Sequence, residues 1–166
     1  TLLKKTRERD AYLKAGKGWR AEELTGYYIG QREDGYEGMT IGIVGLGRIG
    51  SRYSEFMKPW KVRLVAYDPY APDERFEELG VERVDYDTLL KESDVVSFHV
   101  ILTKETRHMF SERELGLMKP TAVVINTSRG PVIDEKALIK ALQTDQIAGA
   151  AMDVFEHEPV ELDNPL

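Results

Sequence analysis

Short apolar runs alternate with amphipathic stretches along most of the chain. Ile41-Gly42-Ile43-Val44, Val62–Ala66, Asp94–Val100, Ala122–Asn126 and Ile147–Met152 are apolar nearly throughout and short enough for buried strands. A briefer run around Val81–Val84 adds one more, third in chain order. Helix patterns fill the gaps. Ile49, Tyr53, Phe56, Met57 and Trp60 recur at i, i+4, i+7, i+8 and i+11, and Asp73–Leu79 is a short helix stopped by Gly80. Asp85 or Asp87 caps a helix over Thr88–Glu92, and Ser111 with Glu114 makes a capping box for a helix reaching Met118. Asp134 opens a helix carrying Leu138, Ile139 and Leu142. Ahead of all this, residues 1–15 read as a charged helix closed by Gly16 and Gly18, and residues 20–39 as a loop.

Strands that are apolar throughout, separated by helices, imply a parallel sheet covered on both faces. With right-handed crossovers the expected fold class is α/β, a three-layer, doubly wound Rossmann-type sheet of order 3-2-1-4-5-6. In such a sheet ligands bind beyond the carboxyl ends of the strands, so five tips matter: 45–50, Asp68, 99–106, 127–130 and 153–158. All five are expected to face one crevice.

The first tip, in the stretch TIGIVGLGRIG, is the most informative. Gly45 allows the sharp turn, Gly47 lets backbone approach a pyrophosphate, and Gly50 lets the helix pack closely on the strand. The free N–H groups at Arg48 and Ile49, with the positive end of the helix dipole, would face the phosphates. Asp68 follows Gly45 by 23 positions, where a ribose-binding acid belongs. A 2′-phosphate about 4 Å from that carboxylate would cost roughly 4 kcal/mol per charge pair at an effective dielectric of 20. Pro69, Tyr70 and Ala71 come next, with no arginine to offset it, so the cofactor is read as NAD rather than NADP.

Composition narrows the picture without redirecting it. A chain of 166 residues can bury about 70% of its unfolded surface in one core. The net charge of −6 argues against generic nucleic-acid binding. Residues 1–20 nevertheless carry seven Lys or Arg against two acids. The absence of cysteine fits a reducing compartment, and no run is apolar and long enough to span a membrane, so the cytoplasm is the expected location. No metal site is expected.

Two further tips carry chemistry. Arg129, in Asn126-Thr127-Ser128-Arg129-Gly130-Pro131, would lie at the nicotinamide end of a cofactor seated on the glycine turn. Its planar, permanently charged fork suits a substrate carboxylate and a carbonyl oxygen gaining negative charge. Asp153, Glu156 and Glu158 crowd the last tip, and an acid there could hold a catalytic imidazole protonated.

The glycine turn and the segments SFHVILTKETRHMF, MKPTAVVINTSRGPVIDEKAL and IAGAAMDVFEHEP together resemble the NAD-binding domain of the D-2-hydroxyacid dehydrogenase family. The resemblance runs from about Leu2 to Leu166. It implies one domain excised from a two-domain enzyme that passes hydride between NAD(H) and a D-2-hydroxy or 2-keto acid. By the same resemblance, Arg129 is the substrate-binding catalytic arginine and Glu158 the catalytic glutamate. Asp153 and the Thr127 carbonyl would meet the nicotinamide carboxamide, while Ile101 and Thr106 belong to the adenosine-flanking loop. Ile101 stands where the family usually has proline. Residues 1–20, with Trp19 as anchor, would form a homodimer element, and 21–166 the Rossmann domain. The family's third catalytic residue, a histidine, would lie beyond Leu166, because His99, His108 and His157 do not match it; the fragment alone is therefore expected to bind cofactor without turnover. Two alternatives stand beside this reading: a non-enzymatic NAD sensor like the corepressors of this fold, and an adenine-nucleotide or SAM-binding domain.

Overall fold

The computed structural model describes residues 6–16 and 38–166. Trp19 and nearly all of the expected 20–39 loop lie outside the described residues. A first helix, α1 (Thr6–Lys14), carries charge on its exposed side, with Lys14 paired to Asp10 at 2.6 Å. Then strand and helix alternate: β1 (Thr40–Val44), α2 (Arg48–Met57), β2 (Arg63–Tyr67), α3 (Asp73–Leu79), β3 (Glu82–Arg83), α4 (Tyr86–Glu92), β4 (Val95–Phe98), α5 (Glu112–Leu115), β5 (Val123–Asn126), α6 (Glu135–Gln143) and β6 (Gly149–Met152). The six strands are all parallel and ordered β3-β2-β1-β4-β5-β6, as the apolar pattern predicts.

Strands β1, β2, β4 and β5 feed two cores because successive side chains point to opposite faces. Ile41, Ile43, Leu64, Ala66, Val95 and Val123 face a cluster completed by Phe76 and Leu79 of α3. Val44, Val65, Val96, Phe98 and Val124 face the other, where Leu89, Leu90, Leu115 and Leu138 pack. This two-sided burial is what makes the strands read as continuous apolar runs. The capping acids behave as expected: Asp85 accepts from the Thr88 N–H at 2.9 Å, and Asp134 from the Ala137 N–H at 3.2 Å. Among the described residues no helix is long and apolar enough to cross a membrane.

Helix α2 corrects the simplest reading of its own pattern. Ile49, Phe56 and Trp60 form an exposed stripe (60, 65 and 47%), with Tyr53 and Met57 half-buried. The face pressed on the sheet is Gly50 and Ser54, flanked by Tyr53 and Met57, which pack against the same core. A Cβ on Gly50 would overlap the Gly45 carbonyl oxygen and sit 3.3 Å from Ile43 Cγ2. Only the smallest residue permits that approach of helix to strand.

Candidate functional site

The carboxyl edge of the sheet divides into two parts. Around β2, β1 and β4 lies a cavity of about 620 Å³ with walls that include Gly45, Gly47, Asp68, Tyr70, Ile101 and Thr106. Gly45 sits at φ 93°, and a side chain there would meet His99 backbone at 3.0 Å, so the turn after β1 requires glycine. A Cβ on Gly47 would meet nothing within 4 Å, which leaves its backbone open to a ligand. No side chain caps α2. The first N–H groups of a helix lack partners within it, so those of Arg48 and Ile49 remain for an anion.

Asp68 stands at the tip of β2 with both oxygens already engaged. Its Oδ2 accepts from the Leu46 N–H at 2.8 Å, inside the glycine turn. Its Oδ1 accepts from the Tyr70 and Ala71 N–H groups at 2.9 and 3.1 Å. One carboxylate therefore fixes the turn that follows β1 against the turn that follows β2. A carboxylate offers about four acceptor directions, and three are taken, so about one remains for a sugar hydroxyl.

The opposite wall is a self-braced loop. Thr106 Oγ1 donates to the Ile101 carbonyl and accepts from the Thr103 N–H, both at 2.7 Å. Ile101 itself projects into solvent at 77% exposure. Across the mouth, Tyr70 Oη donates to Glu105 Oε2 at 2.6 Å, and this contact holds the phenol above its ordinary pKa. His99 leans on the Tyr53 ring, with centroids 5.0 Å apart, and burial lowers its pKa. The sequence singles out neither the Tyr70–Glu105 pair nor the His99–Tyr53 contact, since both depend on the approach of elements set by the fold.

The β5 and β6 tips form the second part, and the 620 Å³ cavity does not reach them. All five expected tips lie along one carboxyl edge, and the first three line the cavity. Arg129 is exposed, and among the described residues its guanidinium makes one hydrogen bond, Nη1 to the Ser128 carbonyl at 2.6 Å. Among the described residues it makes no ion pair with an acid, so most of its donors face outward. Asp153 and Glu158 are exposed, and Glu158 Oε1 accepts from the Phe155 N–H at 3.0 Å. Thr127 is exposed as well. The loops are nonetheless locked together, because a Cβ on Gly130 would overlap the Phe155 carbonyl.

Glu156, the middle acid of the β6 tip, is structural. It accepts from the Glu135 N–H at 2.8 Å, while Glu135 accepts from the Glu156 N–H at 3.0 Å. His108 Nε2 lies 3.0 Å from the same Glu156 oxygen. Sequence reading missed this buckle because its partners are separated by 21 positions or more and belong to no motif.

A parallel sheet with an uncapped helix end beside an anchored acid defines a nucleotide-binding domain of the dehydrogenase type. The chain belongs to a family described as D-isomer specific 2-hydroxyacid dehydrogenase, NAD binding domain, which matches residues 1–166. It is 49% identical over 152 residues to a glyoxylate reductase of Thermococcus litoralis, covering 92% of this chain and 46% of that protein. A D-3-phosphoglycerate dehydrogenase of Archaeoglobus fulgidus is 39% identical over 163 residues, covering 98% of this chain and 29% of the relative. Among solved structures, D-lactate dehydrogenase from Aquifex aeolicus, complexed with NAD and lactic acid, superposes with a TM-score of 0.82 at 36% identity, covering 94% of this chain and 44% of that one. The chain spans about half the length of the glyoxylate reductases it matches. Nothing in these likenesses favours a non-enzymatic sensor.

Proposed function

We propose that this chain is the cofactor-holding part of an NAD-dependent dehydrogenase acting on a D-2-hydroxy or 2-keto acid. The observation that carries the reading is the Asp68–Leu46 hydrogen bond, which sets an acid beside the open end of α2. The residues fit a dinucleotide: Gly45, Gly47, Arg48, Ile49 and Gly50 for the pyrophosphate, Asp68 for the adenosine ribose, and Ile101 and Thr106 beside the adenosine. Thr127 and Asp153 serve the nicotinamide carboxamide. When bound, the cofactor supplies the hydride-carrying carbon. Asp68 favours NAD over NADP, because a 2′-phosphate would meet a carboxylate whose oxygens are already turned inward by three backbone amides.

Arg129 clamps the substrate carboxylate and polarises the carbonyl, for which its outward donors suit it. Glu158 raises the pKa of an imidazole that acts as general acid or base. His99 is half-buried in the cavity wall against Tyr53, and His108 is paired with Glu156. The substrate class, the homodimer through residues 1–20 and a cytoplasmic setting belong to the same proposal. Exposed Leu13 on α1 supports the dimer.

Calorimetric titration of the 166-residue chain with NADH, NADPH and SAM tests the cofactor reading. NADH should bind at micromolar concentration, NADPH at least tenfold more weakly and SAM not at all, with no turnover of glyoxylate or pyruvate. Folded protein that gives no heat with millimolar NADH would remove the proposal.

A further inference from the structure

The last residue of β5 is a polar side chain with no exposure. Asn126 is fully buried, and both ends of its carboxamide are used within the turn that it begins. Its Oδ1 accepts from the Ser128 N–H at 3.0 Å and from Ser128 Oγ at 2.8 Å. Its Nδ2 donates to the Arg129 carbonyl at 3.0 Å. Its backbone carbonyl accepts from the Asp153 N–H at 3.0 Å, so the same residue also holds the start of the β6 tip. Gly130, directly after the turn, packs against the Phe155 carbonyl with no room for a side chain.

A buried amide with every polar atom satisfied specifies one geometry, because alternative turn conformations would leave its groups unpaired. The turn so fixed contains the Thr127 carbonyl and the Arg129 backbone. We infer that Asn126 is a positioning residue for the nicotinamide end of the site: it touches no ligand itself and sets the turn that does. The inference rests on the dinucleotide reading above.

Asn126→Asp is the discriminating substitution. It keeps the shape and the acceptors for Ser128, and it replaces the donor toward the Arg129 carbonyl with an acceptor. Titrating NADH and ADP-ribose separates positioning from bulk stability, since ADP-ribose shares everything but the nicotinamide. NADH affinity should fall about five- to tenfold while ADP-ribose changes less than twofold. Ser128→Ala, which removes one donor to Asn126 and leaves the backbone bonds, should lower NADH affinity about twofold with ADP-ribose unchanged. Equal weakening of both ligands, or no change in either, would overturn the inference. If Asn126→Asp does not fold, Ser128→Ala decides: a fall confined to NADH supports positioning, and no fall overturns it. Wild-type chain that binds neither ligand would instead remove the dinucleotide reading, and this inference with it.

Discussion

Asp68 and Arg129 lie on the same edge of the same sheet and are held in opposite ways. Asp68 has both oxygens tied to backbone amides from two loops and forms part of the wall of a 620 Å³ cavity. Arg129 is tied by its backbone, through Asn126, and its guanidinium reaches only its neighbour's carbonyl. One half of the edge walls a cavity, and the other is a backbone-tied turn carrying an outward-facing charge. Preorganised groups contribute to affinity because little ordering remains to be done on binding. Affinity for the ADP-ribose part of a dinucleotide should therefore reside in the half around Asp68. The half around Arg129 should matter for the nicotinamide end, through its backbone, and for a substrate, through its guanidinium.

The hardest test of that comparison is Gly50→Ala. The added carbon would overlap the Gly45 carbonyl oxygen, which is backbone and cannot rotate away. Helix α2 would have to lift from β1, costing about 3 kcal/mol or more as an overpacked contact. Thermal unfolding should shift down by several degrees, and NADH binding should vanish in calorimetry. Gly47→Ala is the control, since its Cβ meets nothing within 4 Å. It should leave the unfolding temperature in place and weaken only the ligand. Equal behaviour of the two variants would mean that the glycine turn is not set by helix packing.

Next in size is Asp68→Asn. The amide cannot accept from all three N–H groups that now converge on the carboxylate, and it loses the charge proposed to meet the ribose hydroxyls. Hydrogen bonds to charged groups contribute about 1.5–3 kcal/mol, so NADH affinity should fall at least tenfold. NADPH should lose less, and the gap between the two cofactors should narrow. A variant that still prefers NADH as strongly as wild type would mean that the selectivity lies elsewhere.

The two halves also differ in how far they could be read from residues alone. The half around the cavity was legible because its parts are local or regularly spaced: three glycines in six residues, an acid at the end of the next apolar run, and caps at Asp85 and Asp134. Sheet order followed from two-sided apolar strands. Other features depend on tertiary approach. The Ile49–Phe56–Trp60 stripe announces an amphipathic helix, but periodicity does not say which face meets the sheet. Close approach favoured Gly50 and Ser54, so the larger residues remained outside. Asn126 reads as an ordinary strand end until the turn brings Ser128 and Arg129 back onto it. The Glu135–Glu156 exchange joins a helix start to a distant loop. Neither leaves a local signature, because two acids accepting each other's backbone N–H need only the right separation in space.

Arg129→Ala should have the smallest effect on this chain, and for that reason it sharpens the comparison most. The turn is organised by the Asn126 carboxamide acting on the backbone of Ser128 and Arg129, and alanine preserves that backbone. The side chain contributes one bond to the Ser128 carbonyl, at a position where water can replace it. Surface substitutions of this kind usually shift stability by no more than about 0.5 kcal/mol. NADH and ADP-ribose should both bind within about twofold of wild type, measured by the same titration that registers Asp68→Asn. A tenfold loss of NADH would place the guanidinium on the cofactor itself, and the division between a backbone that serves the cofactor and a side chain that serves the substrate would fail. An unchanged affinity leaves Arg129 with outward donors that the cofactor does not use, the state in which a planar cation can meet a carboxylate arriving from outside the cleft.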